Sequence, residues 1–298
     1  MYIVIKILCA TVPFYNGGIY MFVKNGTGEL KRVLVSKPTF LKPAPINEIA
    51  KKWEKTTLDI EKMKREHEEF VNAYKNLGIE VEFLEPNEKR PNSVFARDFG
   101  GCIKEGYILG NFKLSLRELE HIDYKTKMKE LNIPIVAECK EGLFEGGDFA
   151  FINEKTIAIG MADRSNLAGV SEIRNQISKY GYEVIGVPLK KEYLHLDMCF
   201  NLVDDNLAVA YKEGMPKEFL DLVNKLDIEI IPVEEESIFK HGCNLQSLGK
   251  HRVLSLKQNS FVNEELAKRN MDVIELDITE ILKAGGGPHC MTFPIERI

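Results

Sequence analysis

A repeat of about fifty residues constrains this chain more than any other feature. Four segments share one pattern, an apolar run, a polar turn and a second apolar run: Gly101-Cys-Ile-Lys-Glu-Gly-Tyr-Ile-Leu-Gly110, Phe151-Ile-Asn-Glu-Lys-Thr-Ile-Ala-Ile-Gly160, Leu202-Val-Asp-Asp-Asn-Leu-Ala-Val-Ala210 and Leu248-Gly-Lys-His-Arg-Val-Leu-Ser-Leu256. Each reads as a β-hairpin. Between the markers Ile103, Ile152, Leu202 and Leu248 the intervals are 49, 50 and 46 residues. A period of that size denotes an array of like supersecondary units, none able to bury its apolar face alone. After each hairpin comes a stretch with helical spacing and then a short strand. These helix–strand pairs are predicted at 115–131 and 133–137, 165–180 and 183–187, 215–226 and 228–232, and 260–270 and 272–277. A leading pair is predicted at 46–77 and 79–84, with Gly78 ending the helix.

The strand predicted at 29–36, ended by Pro38, and the strand that follows Cys290 would together supply a fifth unit. Five units whose first and last strands share one blade close into a ring. The expected fold is therefore α/β, a five-bladed pseudo-fivefold propeller with its helices outside. No Pro/Gly/Ser-rich linker interrupts it, so residues 1–298 read as a single domain in which 1–28 form an N-terminal extension.

The same repeat places the chemistry. Asp98 lies five residues before Ile103, Glu145 seven before Ile152, His195 seven before Leu202 and Asp197 five before Leu202. Equivalent positions in successive units converge on the axis of a ring, so four scattered polar residues become one site. The C-terminal tail joins them: three glycines, Gly285 to Gly287, lead to Cys290 at the mouth of the last strand. A cysteine behind a Gly loop is a candidate nucleophile, although alone it reads first as a buried thiol. His195 is the candidate proton carrier, being the side chain that titrates near neutral pH. Alone, it is a hydrogen-bonded residue at a strand end. Glu145, in Phe144-Glu-Gly-Gly-Asp148, is otherwise a solvated loop carboxylate, and Asp148 suits a structural role better. Asp98 and Asp197 give a nucleophile nothing by their negative charge, whereas a planar guanidinium offers donors that carboxylates grip in pairs. A metal reading of His195, Asp197, His289 and Cys290 matches no zinc spacing. His241 and Asn244 default to solvated or core positions.

Composition excludes several alternatives. A net charge of −5 with no basic run argues against a nucleic-acid partner. No stretch approaches the 18 or so apolar residues of a membrane span. The six cysteines are scattered without a CxxC pair, which points to reduced thiols and a cytoplasmic setting. The apolar start, Met1 to Phe14, is short and interrupted by Lys6, so an extra strand, or an upstream extension with Met21 as the true start, is expected rather than a signal peptide.

Taken together, Asn92-Ser-Val-Phe-Ala-Arg-Asp98, Glu145-Gly-Gly-Asp148, His195-Leu-Asp197 and Gly285-Gly-Gly-Pro-His-Cys-Met-Thr292 resemble the guanidine-modifying (pentein) superfamily, in order and over most of the chain. That superfamily includes arginine deiminases, dimethylarginine dimethylaminohydrolases, agmatine deiminases and amidinotransferases, and its five-bladed α/β propeller agrees with the repeat. The details look most like arginine deiminase. Asn92 and the Arg97-Asp98 pair stand as in that family, where dimethylarginine hydrolases tend to carry acidic residues at Asn92 and Arg97. Arg164 matches an arginine that holds the substrate carboxylate, and Cys290-Met-Thr-x-Pro294 is again deiminase-like. Two features depart from the pattern: the extra helical domain of bacterial arginine deiminases is missing, and His289 stands where they usually have Arg.

The resemblance implies that Asp98 and Asp197 grip a guanidinium, with Asn92 and Arg164 also binding substrate and Glu145 adding a hydrogen bond. Cys290 would attack the central carbon. His195 would protonate the departing ammonia and then activate water, releasing citrulline if the substrate is arginine. No metal or cofactor is implied; the partner is a small guanidinium substrate, and a homo-oligomer is compatible. An amidinotransferase passing the group to an amine, a dimethylarginine hydrolase, onward conversion of citrulline to ornithine and a non-catalytic ring-shaped ribosome-associated factor are the rival readings.

Overall fold

The computed structural model describes residues 22–298, together with the backbone of a short ladder at Phe14–Tyr15 and Gly18–Ile19. The readings offered for Met1 to Phe14 and for Met21 concern residues outside those described. Of the expected extension, residues 22–28 lie against the ring: Phe22 N donates to Lys104 O at 3.1 Å and Lys24 N to Arg297 O at 3.0 Å.

Five three-stranded sheets form the blades, as the repeat predicts. In each, an inner strand pairs antiparallel with a middle strand, and the middle strand pairs parallel with an outer one after a helical crossover. The first blade joins both ends of the chain: Phe293–Arg297 is its inner strand, Leu30–Ser36 the middle and Glu80–Leu84 the outer. The inner strands of the other four are Gly100–Ile103, Phe149–Phe151, Phe200–Asp204 and Gln246–Gly249. They touch in cyclic order. Phe293–Arg297 packs on Gly100–Ile103, Phe149–Phe151 on Phe200–Asp204, and Phe200–Asp204 on Gln246–Gly249. Gly101 lies so close to the Phe149 ring that a Cβ there would sit 2.9 Å from it. Arg297 Nη2 then donates to Ser247 O at 2.8 Å, closing the ring.

Local sequence explains why each blade repeats. Every crossover helix ends on a left-handed residue: Gly78 (φ 74), Asn132 (56), Gly181 (84), Asp227 (55) and Asn270 (60). Glycine, or a short polar side chain, accepts that conformation at little cost. The next residue, Ile79, Ile133, Tyr182, Ile228 or Met271, is buried in every case. In four of them its N–H reaches back five residues, as in Ile133 N to Met128 O at 2.9 Å. Each helix is thus stopped and its chain turned into the outer strand by the same device. In the fourth hairpin Lys250 and His251 both have positive φ (55 and 57), the two-residue turn whose twist matches paired strands.

Three boundaries differ from expectation. The helix predicted over 46–77 is two, Glu48–Trp53 and Ile60–Asn76, because Asp59 accepts from Lys62 N at 2.9 Å and caps a fresh start. The helix predicted over 115–131 begins only at Glu120; turns precede it and carry Arg117 inward. The helix predicted over 165–180 ends at Ile177 and passes into a single tighter turn, Ser178–Tyr180. No described helix is long and apolar enough to cross a membrane, and the five described cysteines are free thiols.

Along the axis the inner strands leave a narrow cavity, with about 50 Å³ that the centre of a water molecule can enter. Arg97, Asp197 and His289 line it near the first turns of the blades, and Asn25, Ser247 and Arg297 line it farther along the strands.

Candidate active site

Short helical turns sit just before the inner strands of three blades: Ala96–Phe99, Gly146–Asp148 and Leu196–Met198. They bring Asp98, Glu145, His195 and Asp197 together, all buried, beside Cys290. The turns pack so tightly that Gly147 admits no side chain; a Cβ there would lie 2.5 Å from His195 Nδ1 and 3.0 Å from Asp98 Oδ1. Gly287 is equally confined, 2.7 Å from Asn244 Oδ1 by the same measure. These two glycines are present because the site's walls touch.

His195 is clamped between acids. Its Nε2 lies 3.1 Å from Glu145 Oε2 and its Nδ1 3.7 Å from Asp98 Oδ1. Burial disfavours the charged ring, but Asp98, Asp148 and Glu145 outweigh it and raise the pKa to about 10. His195 is therefore an imidazolium at neutral pH. Glu145 moves the other way: burial raises it, while the bond to His195 and the charge of Arg164 bring it down to about 2. Asp148 accepts from Ser165 Oγ at 2.7 Å and from Leu196 N at 2.9 Å, the structural role expected of it.

Cys290 faces a different set of groups. Asn244 Nδ2 donates to its Sγ at 3.0 Å, and Asp197 Oδ2 lies 3.6 Å away. Burial, then Asp197 and Asp98, push the thiol well above its ordinary range. Among the described residues no hydrogen bond joins Cys290 to His195. The two stand as separate groups beside the acids, an arrangement that suits attack on one atom of a bound cation and proton delivery to another. Asp197 also accepts from His289 Nδ1 at 2.8 Å, so the histidine found at the place of an arginine holds one of the two acids expected to bind substrate.

Other expected residues are placed as follows. Asn92 is buried, and both polar atoms of its side-chain amide lack a hydrogen-bond partner. Arg164 reaches Glu145 Oε2 at 3.4 Å, Asp163 Oδ2 at 3.1 Å and the carbonyl of Ile46. It therefore touches the site through Glu145. One oxygen of each of the two acids expected to bind substrate, Asp98 Oδ1 and Asp197 Oδ1, is buried without a hydrogen-bond donor.

Two residues escaped the sequence reading. Asn244, expected as a solvated or core position, is buried against Cys290: its Oδ1 accepts from His289 N at 3.1 Å and Cys290 N at 3.2 Å while its Nδ2 meets Sγ. It stands two residues before the inner strand at Gln246, as Asp98 stands before Gly100, so aligning the blades would have found it. Arg117 is fully buried, with Nη1 on Asp98 Oδ2 at 2.5 Å and Nη2 on Glu120 Oε2 at 2.8 Å. Asp98, Glu145 and His195 offer ligand atoms within 4.8 Å of one another and could hold a cation, but Arg117 and Arg164 already place positive charge on both carboxylates.

Deleting the Asn244 amide gives a direct reading on the thiol. Its hydrogen bond favours the thiolate, and bonds to charged groups contribute about 1.5–3 kcal/mol. Asn244→Ala is expected to lower kcat/KM by roughly 10–100-fold at neutral pH. The acid limb of its pH profile should move to higher pH, because a thiol stripped of that donor ionises later. An unshifted limb would assign Asn244 to packing alone.

The chain is similar to several known proteins. The family model described as N,N dimethylarginine dimethylhydrolase, eukaryotic, matches residues 39–297. The uncharacterized protein YkgA of Bacillus subtilis (strain 168) is 29% identical, over 91% of this chain and 93% of its own length. An arginine deiminase of Bacillus cereus (strain ATCC 10987 / NRS 248) is 23% identical over 72% of this chain and 63% of its own. Among solved structures, the product-bound N-terminal domain of ArgZ, a cyanobacterial arginine dihydrolase, superposes with a TM-score of 0.79 at 24% identity, covering 90% of this chain and 98% of that domain. The citrulline complex of DDAH from Pseudomonas aeruginosa does so with a TM-score of 0.74 at 22% identity, covering 89% and 99%. With a family match over nearly the whole chain, five blades and these motifs in order, the chain belongs to the N,N dimethylarginine dimethylhydrolase family and, with it, to the guanidino-group hydrolases of the pentein superfamily.

Proposed function

We propose that this protein hydrolyses the unsubstituted guanidinium of L-arginine to L-citrulline and ammonia through a covalent intermediate on Cys290. One observation carries the reading: Asp98 Oδ1, which at 3.7 Å from His195 Nδ1 is beyond hydrogen-bond distance, and Asp197 Oδ1 are buried acceptors that receive no hydrogen bond. A buried carboxylate oxygen left unpaired is costly, and a planar cation with several N–H groups would satisfy both at once. A dimethylated nitrogen carries no N–H and would leave one of them unmatched.

The steps follow from the protonation states. The resting thiol of Cys290 is held neutral by burial and by Asp197, and a bound guanidinium supplies the positive charge that favours its ionisation. The thiolate adds to the central carbon. The imidazolium of His195 gives its proton to one terminal nitrogen, ammonia leaves, and a thiouronium cation remains on Sγ. Neutral His195 then takes a proton from water as that water adds to the same carbon. The C–S bond breaks, the thiolate is restored, and the hydroxyl proton passes to solvent as the ureido product forms. Glu145 holds His195 in orientation and keeps it charged between turnovers. Arg164 would bind the substrate carboxylate by turning its outer N–H groups from Ile46 O, and the unpaired amide of Asn92 would bind the amino acid backbone. No step calls for a metal or cofactor.

A second reading, hydrolysis of N,N-dimethylarginine, is favoured by the family match. The two separate by product. Incubation with arginine, agmatine, N-methylarginine and N,N-dimethylarginine should give ammonia and citrulline fastest from arginine. Dimethylamine release faster than ammonia release would reverse the assignment, and silence until an amine acceptor is added would make the protein a transferase. Ornithine appearing with a second ammonia would extend the reaction beyond citrulline.

A further inference from the structure

We propose that the axial cavity beneath the site is a binding site for a small inorganic monoanion, of the halide or nitrate class, held between Arg297 and Ser247 with Arg97 nearby. It is lined at one end by Arg97, Asp197 and His289 and along the strands by Asn25, Ser247 and Arg297. Arg297 is 1% exposed, yet its guanidinium meets only carbonyls, with Nη1 on Gly28 O at 2.6 Å and Nη2 on Ser247 O at 2.8 Å. Its Nε has no hydrogen-bond partner, and neither has the buried Oγ of Ser247. Two unpaired donors therefore lie on neighbouring residues of adjacent inner strands, in the same cavity.

The charges do not balance within the protein. Arg97 Nη2 rests on Gln246 Oε1 at 3.0 Å, and the charge of Asp197, the one carboxylate among the cavity's lining residues, supports Arg97 and leaves Arg297 without an acid. No described carboxylate pairs with Arg297, and residues 1–21 contain no Asp or Glu that could. His289 adds no further positive charge, since burial and Arg97 lower it to about 4 and leave it neutral. Arg297 is itself lowered to about 9, by burial and then by Arg97. Proteins pair a buried guanidinium with an anion because the desolvated charge is otherwise costly by several kcal/mol. Here the donors are present and the acid is not. The space suits a monatomic or small planar anion with a water or two, and excludes phosphate esters and nucleotides. Repulsion from Asp197 places the anion toward Arg297.

Bromide tests the site directly. Crystals grown in sodium bromide should show a bromine anomalous peak within hydrogen-bond reach of Arg297 Nε and Ser247 Oγ. In solution, the Tm should rise by roughly 5 °C for a hundredfold increase in bromide above its Kd, at ionic strength held constant with gluconate. Ser247→Asp supplies the missing carboxylate within the chain. That variant should unfold as late in gluconate as the wild type does in bromide, and should lose both the peak and the bromide dependence. Arg297→Lys, which keeps the charge, should retain a weakened bromide response. A wild-type cavity with no anomalous peak, or a Tm that follows ionic strength alone, overturns the proposal. Neither readout depends on activity, so the assignment of the catalytic site stands or falls separately.

Discussion

Replacing Cys290 by serine is expected to abolish turnover, by roughly 10⁴-fold or more, with the ring still folded. The size of the effect follows from the role proposed for the sulfur. Two displacements replace one, and a serine hydroxyl in the same acid-lined pocket stays protonated far above the pH at which a cysteine ionises. The side chains are near-isosteric, and Thr292 and Met291 keep the loop in place through bonds the substitution does not touch, Thr292 Oγ1 to Pro288 O at 2.7 Å and Met291 N to Gly287 O at 3.1 Å. Arginine should still bind the variant, because Asp98 and Asp197 remain. The check is twofold: calorimetric binding of arginine to the variant, and mass spectrometry of acid-quenched wild type. An adduct on the peptide that contains Cys290, absent from the variant, is the expected result. Residual activity within tenfold of wild type would remove Cys290 from the mechanism.

The second large effect concerns stability. Arg117 is the counter-ion of two buried acids, Asp98 and Glu120, and stacks its guanidinium 4.6 Å from the centre of the Phe112 ring. Arg117→Met keeps the volume and removes the charge. Breaking a buried pair from one side costs about 3–5 kcal/mol, because the other charge stays behind. For a chain of this size the Tm should fall by roughly 6–10 °C. The sign of the pH dependence is fixed by Glu120. Burial, opposed by Arg117, raises its pKa from 4.5 to about 7. A carboxyl raised in the folded state contributes stability below its unfolded pKa and loses it as pH rises through 7. Without Arg117 the raised value climbs further, so the Tm gap between wild type and variant should be wider at pH 8 than at pH 5.5. Equal gaps at both values would mean that the acids are solvated.

Much of the fold was readable because each blade repeats two patterns that side-chain period alone reveals, alternation in the hairpins and helical spacing outside them. The site was readable for the same reason: Asp98, Glu145, His195 and Asp197 fall at like positions before inner strands. What escaped has a physical cause in each case. Arg117 sits in a run of charged and apolar residues that looks like the outside of a helix, and the acid it serves at the site is 19 positions away along the chain. Asn244 lies in the blade whose turn carries neither acid nor histidine of the site, so nothing marked it until the sulfur was seen against it. The break between the two early helices falls where Asp59 caps a fresh start, and Asp59 N in turn donates to Glu280 Oε2 at 3.0 Å, a contact 221 positions away along the chain.

The first blade also ties the timing of assembly to the appearance of reactivity. Its clasp zips the last residues onto a strand laid down near the start, Phe293 opposite Leu34 and Arg297 opposite Leu30. The sulfur sits just ahead of that zipper. The proposed nucleophile therefore takes its place only when residues 293–297 have paired with residues 30–34.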